Sequence, residues 1–268
     1  MKVSFIGFGN LAKAIATPLQ TNPRYQLWAA APSLPITYVE NGVSTHPDNL
    51  AILPHAELII LAVKPAQMRQ VLTQIRDAIP RNALVVSVAA GITLPWLAKH
   101  CPKKQAIIRC MPNIAVAIGQ GATPLIANRY VNPDQKQQIE ALFTQMGIVT
   151  WTDDEIDLDR FTALSGSGPA YVFFFLEALI HGAQALGLEH AIAHTFALQT
   201  LQGALGLAHQ QVTAIGLLRE QVTSKKGTTA AALEVLEKAG FEGWIQEAMQ
   251  AAFTRAQSLS ASVSQDEA

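Results

Sequence analysis

Short, uninterrupted apolar runs set the rhythm of the first half of the chain. KVSFIG at 2–7, YQLWAAA at 25–31, ELIILAV at 57–63, LVVSV at 84–88 and QAIIRCM at 105–111 alternate with stretches of helical spacing such as LAKAIATPLQ at 11–20 and AQMRQVLTQIRDAI at 66–79. Strands apolar on both faces, joined by crossover helices, predict a parallel sheet covered on both sides, a doubly wound α/β domain. ATPLIA at 122–127 and IVTW at 148–151 flank DQKQQIEALFTQM at 134–146, which reads as a strand, helix, strand extension. The stretch between YQLWAAA and ELIILAV is broken and shows no clear period. After Trp151 the strand signals fade and long helical patterns follow, interrupted by GSGP at 166–169, by Gly187 and by the 209–216 region. Residues 1–152 are therefore expected to form the α/β domain and 153–268 an all-α domain. The polar tail SASVSQDEA, 260–268, is expected to fray. The helices from Ala170 to Leu186 and from Thr195 to Leu207 carry wide apolar faces with few charges, more than one small bundle hides, which predicts a homo-oligomer.

Composition narrows the function. The chain has 268 residues, 50% of them hydrophobic, which is enough for a substantial core. Its 19 Lys and Arg nearly cancel 20 Asp and Glu, and no basic tract recurs, so neither a nucleic-acid groove nor an anionic membrane surface is expected, and a small neutral or anionic ligand is. Met1 to Ile6 is too short for a signal core, and the apolar run Tyr171 to Ile180 is interrupted by Glu177. A soluble, cytoplasmic protein is the expectation. Cys101 and Cys110 have neither redox nor zinc spacing and are expected to be reduced structural thiols. His190 and His194 stand i,i+4, but EHAIAH lacks the internal glutamate and the third ligand of a metal site, so no metal is expected.

GFGNLA follows the first strand and opens the first helix, the GxGxxA form of a dinucleotide fingerprint. Gly7 permits the turn, Gly9 lets backbone approach a pyrophosphate, Ala12 allows close packing of helix on strand, and the helix start offers free amides. At the end of the second run, Ala31, Pro32 and Ser33 present no carboxylate to repel a 2′-phosphate, and the Ser33 hydroxyl offers a donor, which favours NADPH over NADH; a turn-capping role suits Ser33 equally. Lys64 and Pro65 end the run LAVKP, where open α/β sheets bind ligands, although a surface lysine at a strand end has the same spacing. Small residues in VSVAAG, Ala89 and Ala90 among them, would let a flat ring lie against backbone, or simply pack.

Taken in order, GFGNLA, LAVKP, VSVAAG, RCMPN at 109–113, SGSGPAY at 165–171 and VTSKKGTT at 222–229 resemble the pyrroline-5-carboxylate reductase family, over residues 1 to about 255. The resemblance implies reduction of the cyclic imine of 1-pyrroline-5-carboxylate to L-proline, the last step of proline biosynthesis, with NADPH or NADH; with the reading of residues 31–33, NADPH is preferred and NADH possible. It implies that Gly7, Phe8, Gly9, Asn10, Leu11 and Ala12 hold the pyrophosphate. Ala31, Pro32, Ser33 and Asn49 would lie by the adenosine ribose, Asn49 equally suiting a helix cap. Ala62, Val63, Lys64 and Pro65 with Ala89 and Ala90 would line the nicotinamide side. Ser224, Gly227, Thr228 and Thr229 would clamp the substrate carboxylate with amides and hydroxyls at a helix start. Thr229 would lie near the imine nitrogen as catalytic hydrogen-bond partner or proton relay. SGSGPAY would start the long helix at the domain junction, its glycines allowing close approach. The helical domain would carry substrate contacts and make a homodimer or a larger ring of dimers.

The chain departs from the family in three places. Its loop reads VTSKKGTT where VTSPGGTT is usual, so Lys226 replaces a glycine and would be strained if that position keeps positive φ. MPNIA replaces MPNTP, and QQVTAIG at 210–216 lacks the usual acid and proline. Two other functions share the architecture: a related imine or hydroxyacid reductase, the latter disfavoured because PAYVFFFLEALIHG holds no lysine, and a nucleotide-binding homologue without catalysis.

Overall fold

The computed structural model describes residues 1–39, 42–211 and 213–265. Val212, inside QQVTAIG, and 266–268 of the polar tail lie outside them. The chain divides into two compact units, one comprising Met1–Pro169 together with the chain from Ala251 onward, the other Ala170–Gln250. The change in sequence rhythm at 152 thus precedes the change in compactness, because the first helices after it pack on the sheet.

Among the described residues of the first unit, nine strands form one sheet: β1 (Lys2–Ile6), β2 (Gln26–Ala30), β3 (Thr37–Val39), β4 (Val43–His46), β5 (Leu58–Leu61), β6 (Leu84–Ser87), β7 (Ile107–Cys110), β8 (Gly121–Ala127) and β9 (Gly147–Trp151). Their order is β3-β4-β2-β1-β5-β6-β7-β8-β9. Pairing is parallel except between β3 and β4 and between β7 and β8. The β7–β8 reversal is a departure from the expected parallel run. Its link holds only a 3₁₀ segment, Ile114–Ile118, and Gly119 at φ +72°, too little chain for a crossover. β3 and β4 occupy the stretch that showed no clear period.

Helices α1 (Asn10–Gln20), α2 (Met68–Ile75), α3 (Leu94–His100), α4 (Pro133–Thr144) and α5 (Glu155–Phe161) cover the sheet. One face packs Phe5, Ala29 and Ile60 against Ile15 and Leu19 of α1 and Phe143 of α4. The other packs Ile6, Ile59 and Leu61 against Met68 and Leu72 of α2, Leu97 of α3 and Leu158 of α5. Two buried layers on one sheet are the doubly wound arrangement that unbroken apolar strands require.

The helical part continues with a π segment, Thr162–Gly166, then α6 (Gly168–Ala185), α7 (His190–Gln210), α8 (Ile215–Gln221), α9 (Thr228–Lys238) and α10 (Phe241–Gln265). Helix α10 runs through Gln265, so helical backbone extends into the polar tail. The glycines of SGSGP meet no close neighbour: a Cβ at Gly166 would stand 3.5 Å from Met111, ordinary contact, and one at Gly168 would have nothing within 4 Å. In the second unit Phe174, Leu186 and Trp244 are 75, 88 and 61% exposed. One helical stretch among the described residues, Glu155–Ala185, is long and apolar enough by length and composition to cross a membrane. It exceeds the length expected from the sequence because α5, the π segment and α6 follow one another with only Ser167 between the last two.

Candidate functional site

Strand register builds the site in the first unit. His46, Ala30, Ile6, Leu61, Ser87 and Arg109 form one row across β4, β2, β1, β5, β6 and β7. The candidate cofactor residues begin immediately beyond that row, at the carboxyl ends of the parallel strands. Gly7 leaves β1 at φ +85°, and its amide donates to Ala30 O at 2.8 Å. A Cβ there would lie 2.7 Å from Val63 Cγ1 and 2.9 Å from the Ala62 carbonyl, so both conformation and space demand glycine. Gly9 differs: its φ of −79° suits any residue, and a Cβ would meet nothing within 4 Å. The open space above Gly9 is what a ligand approaching the backbone requires. Gly9 caps α1 without a side-chain bond, and the first turn holds no acid, so the amides of Asn10, Leu11 and Ala12 carry the helix's positive end. Ala12 is buried under the helix, whereas Phe8 turns its ring to Phe5, centroids 5.7 Å apart.

Ala31 donates its amide to His46 O at 3.3 Å, and Leu34 N closes a turn onto Ala31 O at 2.9 Å. Pro32 and Ser33 are exposed on that turn. Asn49 does not cap its 3₁₀ turn: Asp48 does, accepting from Leu50 N at 3.0 Å, and Asn49 Nδ2 donates to Gln74 Oε1 at 2.9 Å. Beyond β5, the Ala62 amide bonds Ile6 O at 2.8 Å, and exposed Lys64 precedes the 3₁₀ turn that Pro65 opens. Ala89 is buried, its amide 3.4 Å from Ser87 Oγ, and Ala90 is half-buried. Behind them Gly91, at φ +74°, lies so close to α10 that a Cβ would stand 2.7 Å from Leu259 Cβ. These surfaces suit a dinucleotide: a cradle a side chain would fill, an uncapped helix start, and a small-residue wall.

Two connections escaped sequence reading. Arg109, 2% exposed, pairs with Glu155 and, at 3.3 Å, with Asp159, while Glu155 also accepts from Leu94 N at 2.5 Å. Three elements, β7, α3 and α5, are thereby tied at one buried cation. Asn113 of RCMPN bonds Ala115 N through Oδ1 and donates from Nδ2 to Ser165 O at 3.0 Å, joining that motif to SGSGPAY. No local period could have revealed either, since the partners stand 46 to 52 positions apart.

In the second unit, Ser224, Gly227, Thr228 and Thr229 cluster at the start of α9. Lys226 adopts φ +59°, the left-handed conformation that a glycine would favour. Gly227 N is not a free donor, because it closes a turn onto Ser224 O at 3.0 Å. The amides left without a helical partner are those of Thr228, Thr229 and Ala230. α9 has neither a side-chain cap nor an acid in its first turn. The rings of His190 and His194 are 6.3 Å apart, with no third ligating side chain gathered with them among the described residues. Cys101 and Cys110 are free and buried, and burial pushes the Cys101 thiol up to about 12 and the Cys110 thiol further.

Comparison with known proteins places this geometry. Residues 155–259 match the family described as pyrroline-5-carboxylate reductase dimerisation, and residues 2–91 match NADP oxidoreductase coenzyme F420-dependent. The chain is 34% identical to the pyrroline-5-carboxylate reductase of Pseudomonas aeruginosa, covering 98% of both chains. It is 37% identical to that of Synechocystis, covering 97% of this chain and 98% of the relative. The crystal structure of Plasmodium falciparum pyrroline carboxylate reductase with NADP bound superposes with a TM-score of 0.90 at 27% identity, over 97% of this chain and 98% of that one. With a dinucleotide cradle on a doubly wound sheet and this likeness along its whole length, the chain belongs to the pyrroline-5-carboxylate reductase family, oxidoreductases acting on a C=N bond.

Proposed function

We propose that the chain reduces the cyclic imine of 1-pyrroline-5-carboxylate to L-proline, with NADPH preferred to NADH. The observation that carries the proposal is the first turn of α9, where three amides and two threonine hydroxyls stand uncapped beside two lysines. A substrate carboxylate fits that positive end. Ser224, Thr228 and Thr229 would hold it; Gly227 shapes the turn rather than donating. Fixing the ring there leaves Thr229 to hydrogen-bond the imine nitrogen and to pass it a proton from water, orientation being the main task of the protein.

Bound in the cradle, the nicotinamide supplies the hydride that the C=N carbon gains. Gly7 through Ala12 would hold the pyrophosphate by backbone, and Ala62 to Pro65 with Ala89 and Ala90 would wall the ring. Ala31 to Ser33 and Asn49 would border the adenosine ribose. The lack of an acid at 31–36 supports NADPH. Residues 153–268 would serve as substrate and dimerisation domain, in a homodimer or ring of dimers covering the exposed faces of α6 and α7, in the cytoplasm.

A steady-state assay of NADPH oxidation with 1-pyrroline-5-carboxylate, run beside NADH and an acyclic imine, tests the activity. Absence of proline while NADPH still binds would refute it. Thr229→Ala should lower kcat/KM by at least tenfold, and an unchanged value removes Thr229 from the mechanism. Light scattering on the purified chain reads the assembly, a monomer being the contrary result.

A further inference from the structure

We infer that His46 recognises the 2′-phosphate of NADPH, donating from Nε2, and so sets the cofactor preference; this rests on the NADPH reading above. The sequence holds no Lys or Arg between Arg24 and Lys64. The segment after β2, where a nearby arginine commonly accommodates a 2′-phosphate, therefore has no permanent cation. Tertiary structure brings another donor to it. His46, the last residue of β4, is the register partner of Ala30, and its carbonyl takes the Ala31 amide at 3.3 Å. Thr45 Oγ1 bonds Pro35 O at 2.7 Å, so the turn carrying Ser33 is tied to the end of β4 at both its ends.

The imidazole is held in one tautomer. Asp48 N donates to His46 Nδ1 at 2.9 Å, closer than Asp48 O, which is 3.3 Å from the same nitrogen. Nδ1 is thus the acceptor, and the hydrogen sits on Nε2, which has no partner among the described residues. A half-exposed ring whose Nε2–H is left unused is a phosphate donor, and it stands on the residue whose carbonyl takes the Ala31 amide, two positions before exposed Ser33. Asp48 accepts through Oδ1 from Leu50 N at 3.0 Å and from Gln74 Nε2 at 3.3 Å, which holds that carboxylate to the turn after β4.

The test is calorimetric titration of the full chain and of His46→Asn with 2′,5′-ADP, 5′-AMP, NADPH and NADH. Asparagine keeps an acceptor near Nδ1 and removes the outer donor. The wild type is expected to bind 2′,5′-ADP more tightly than 5′-AMP. The variant should lose about tenfold for 2′,5′-ADP and NADPH, the worth of one hydrogen bond to a charged group, and nothing for 5′-AMP and NADH. Unchanged 5′-AMP binding also shows that the variant is folded. Equal losses for both nucleotides, or no loss, would overturn the role of His46 while leaving the NADPH preference standing. A wild type that does not discriminate, or that favours 5′-AMP and NADH, overturns both.

Discussion

Replacing Lys226 by glycine should stabilise the protein. Lys226 sits at φ +59°, where a side chain crowds the following carbonyl, a penalty of about 1–2 kcal/mol. Glycine removes that strain but loses about 0.5–1 kcal/mol to its freer unfolded chain. The difference is a gain centred near about 0.75 kcal/mol within a span of about 0–1.5 kcal/mol, or about 1–3 °C in Tm for a chain of this size at the centre. Lys226→Ala is the control, since it removes the ammonium and keeps the strain, and no gain is expected from it. Urea midpoints at equal m for the three proteins give the ordering directly. A Lys226→Gly protein no more stable than wild type would refute the assignment of strain to this residue. If alanine stabilised as much as glycine, charge repulsion with Lys225 would be the cause instead of backbone conformation. Retention of the lysine despite its strain agrees with a pull on an anionic substrate, and kcat/KM of Lys226→Gly should fall less steeply with added salt than that of the wild type.

Three further outcomes follow from the first unit. Arg109→Met should cost about 3–5 kcal/mol in urea unfolding, because Asp159 is left buried without its cation; a loss below about 1 kcal/mol would show the network to be dispensable. Gly9→Ala should change stability by less than about 0.5 kcal/mol yet weaken NADPH binding in titration, whereas Gly7→Ala should lose both stability and binding, given its positive φ and its 2.7 Å approach to Val63. The Cys101 thiol, pushed by burial from 9.0 to about 12, stays neutral when folded, while the unfolded thiol ionises near 9. Its contribution to stability is therefore complete below pH 9 and declines as pH rises from 9 towards 12, and a thiol reagent at pH 8 should label it only on unfolding.

Local pattern sufficed for much of this. The unbroken apolar runs dictated strands buried on both faces, and only a sheet wrapped on both sides satisfies them; β1, β2, β5, β6 and β7 fall on those runs. GFGNLA specified its turn because φ, space and an uncapped helix start are properties of adjacent residues. Lys226 differs, because the sequence left either a strained lysine or an altered turn at that position, and the backbone shows the first, at φ +59°. Short edge strands such as β3 and β4 were illegible because three or four residues carry too little period, and their pairing is supplied by neighbours.

Residues that act at a distance were decided by the fold alone. Gly227 reads as an amide donor in sequence, yet its hydrogen bond is taken by Ser224; Asn49 reads as a cap, yet Asp48 is the cap. Arg109 appears as one charge in an apolar strand until α5 returns with Glu155 and Asp159. His46 carries no motif at all, and it comes beside the end of β2 through the pairing of β4 with β2. Period and turn chemistry are written in neighbouring residues, so the sequence by itself determined the elements and the fingerprint. Which polar group meets which depends on strand register and helix packing, and those exist only once the chain has closed on itself.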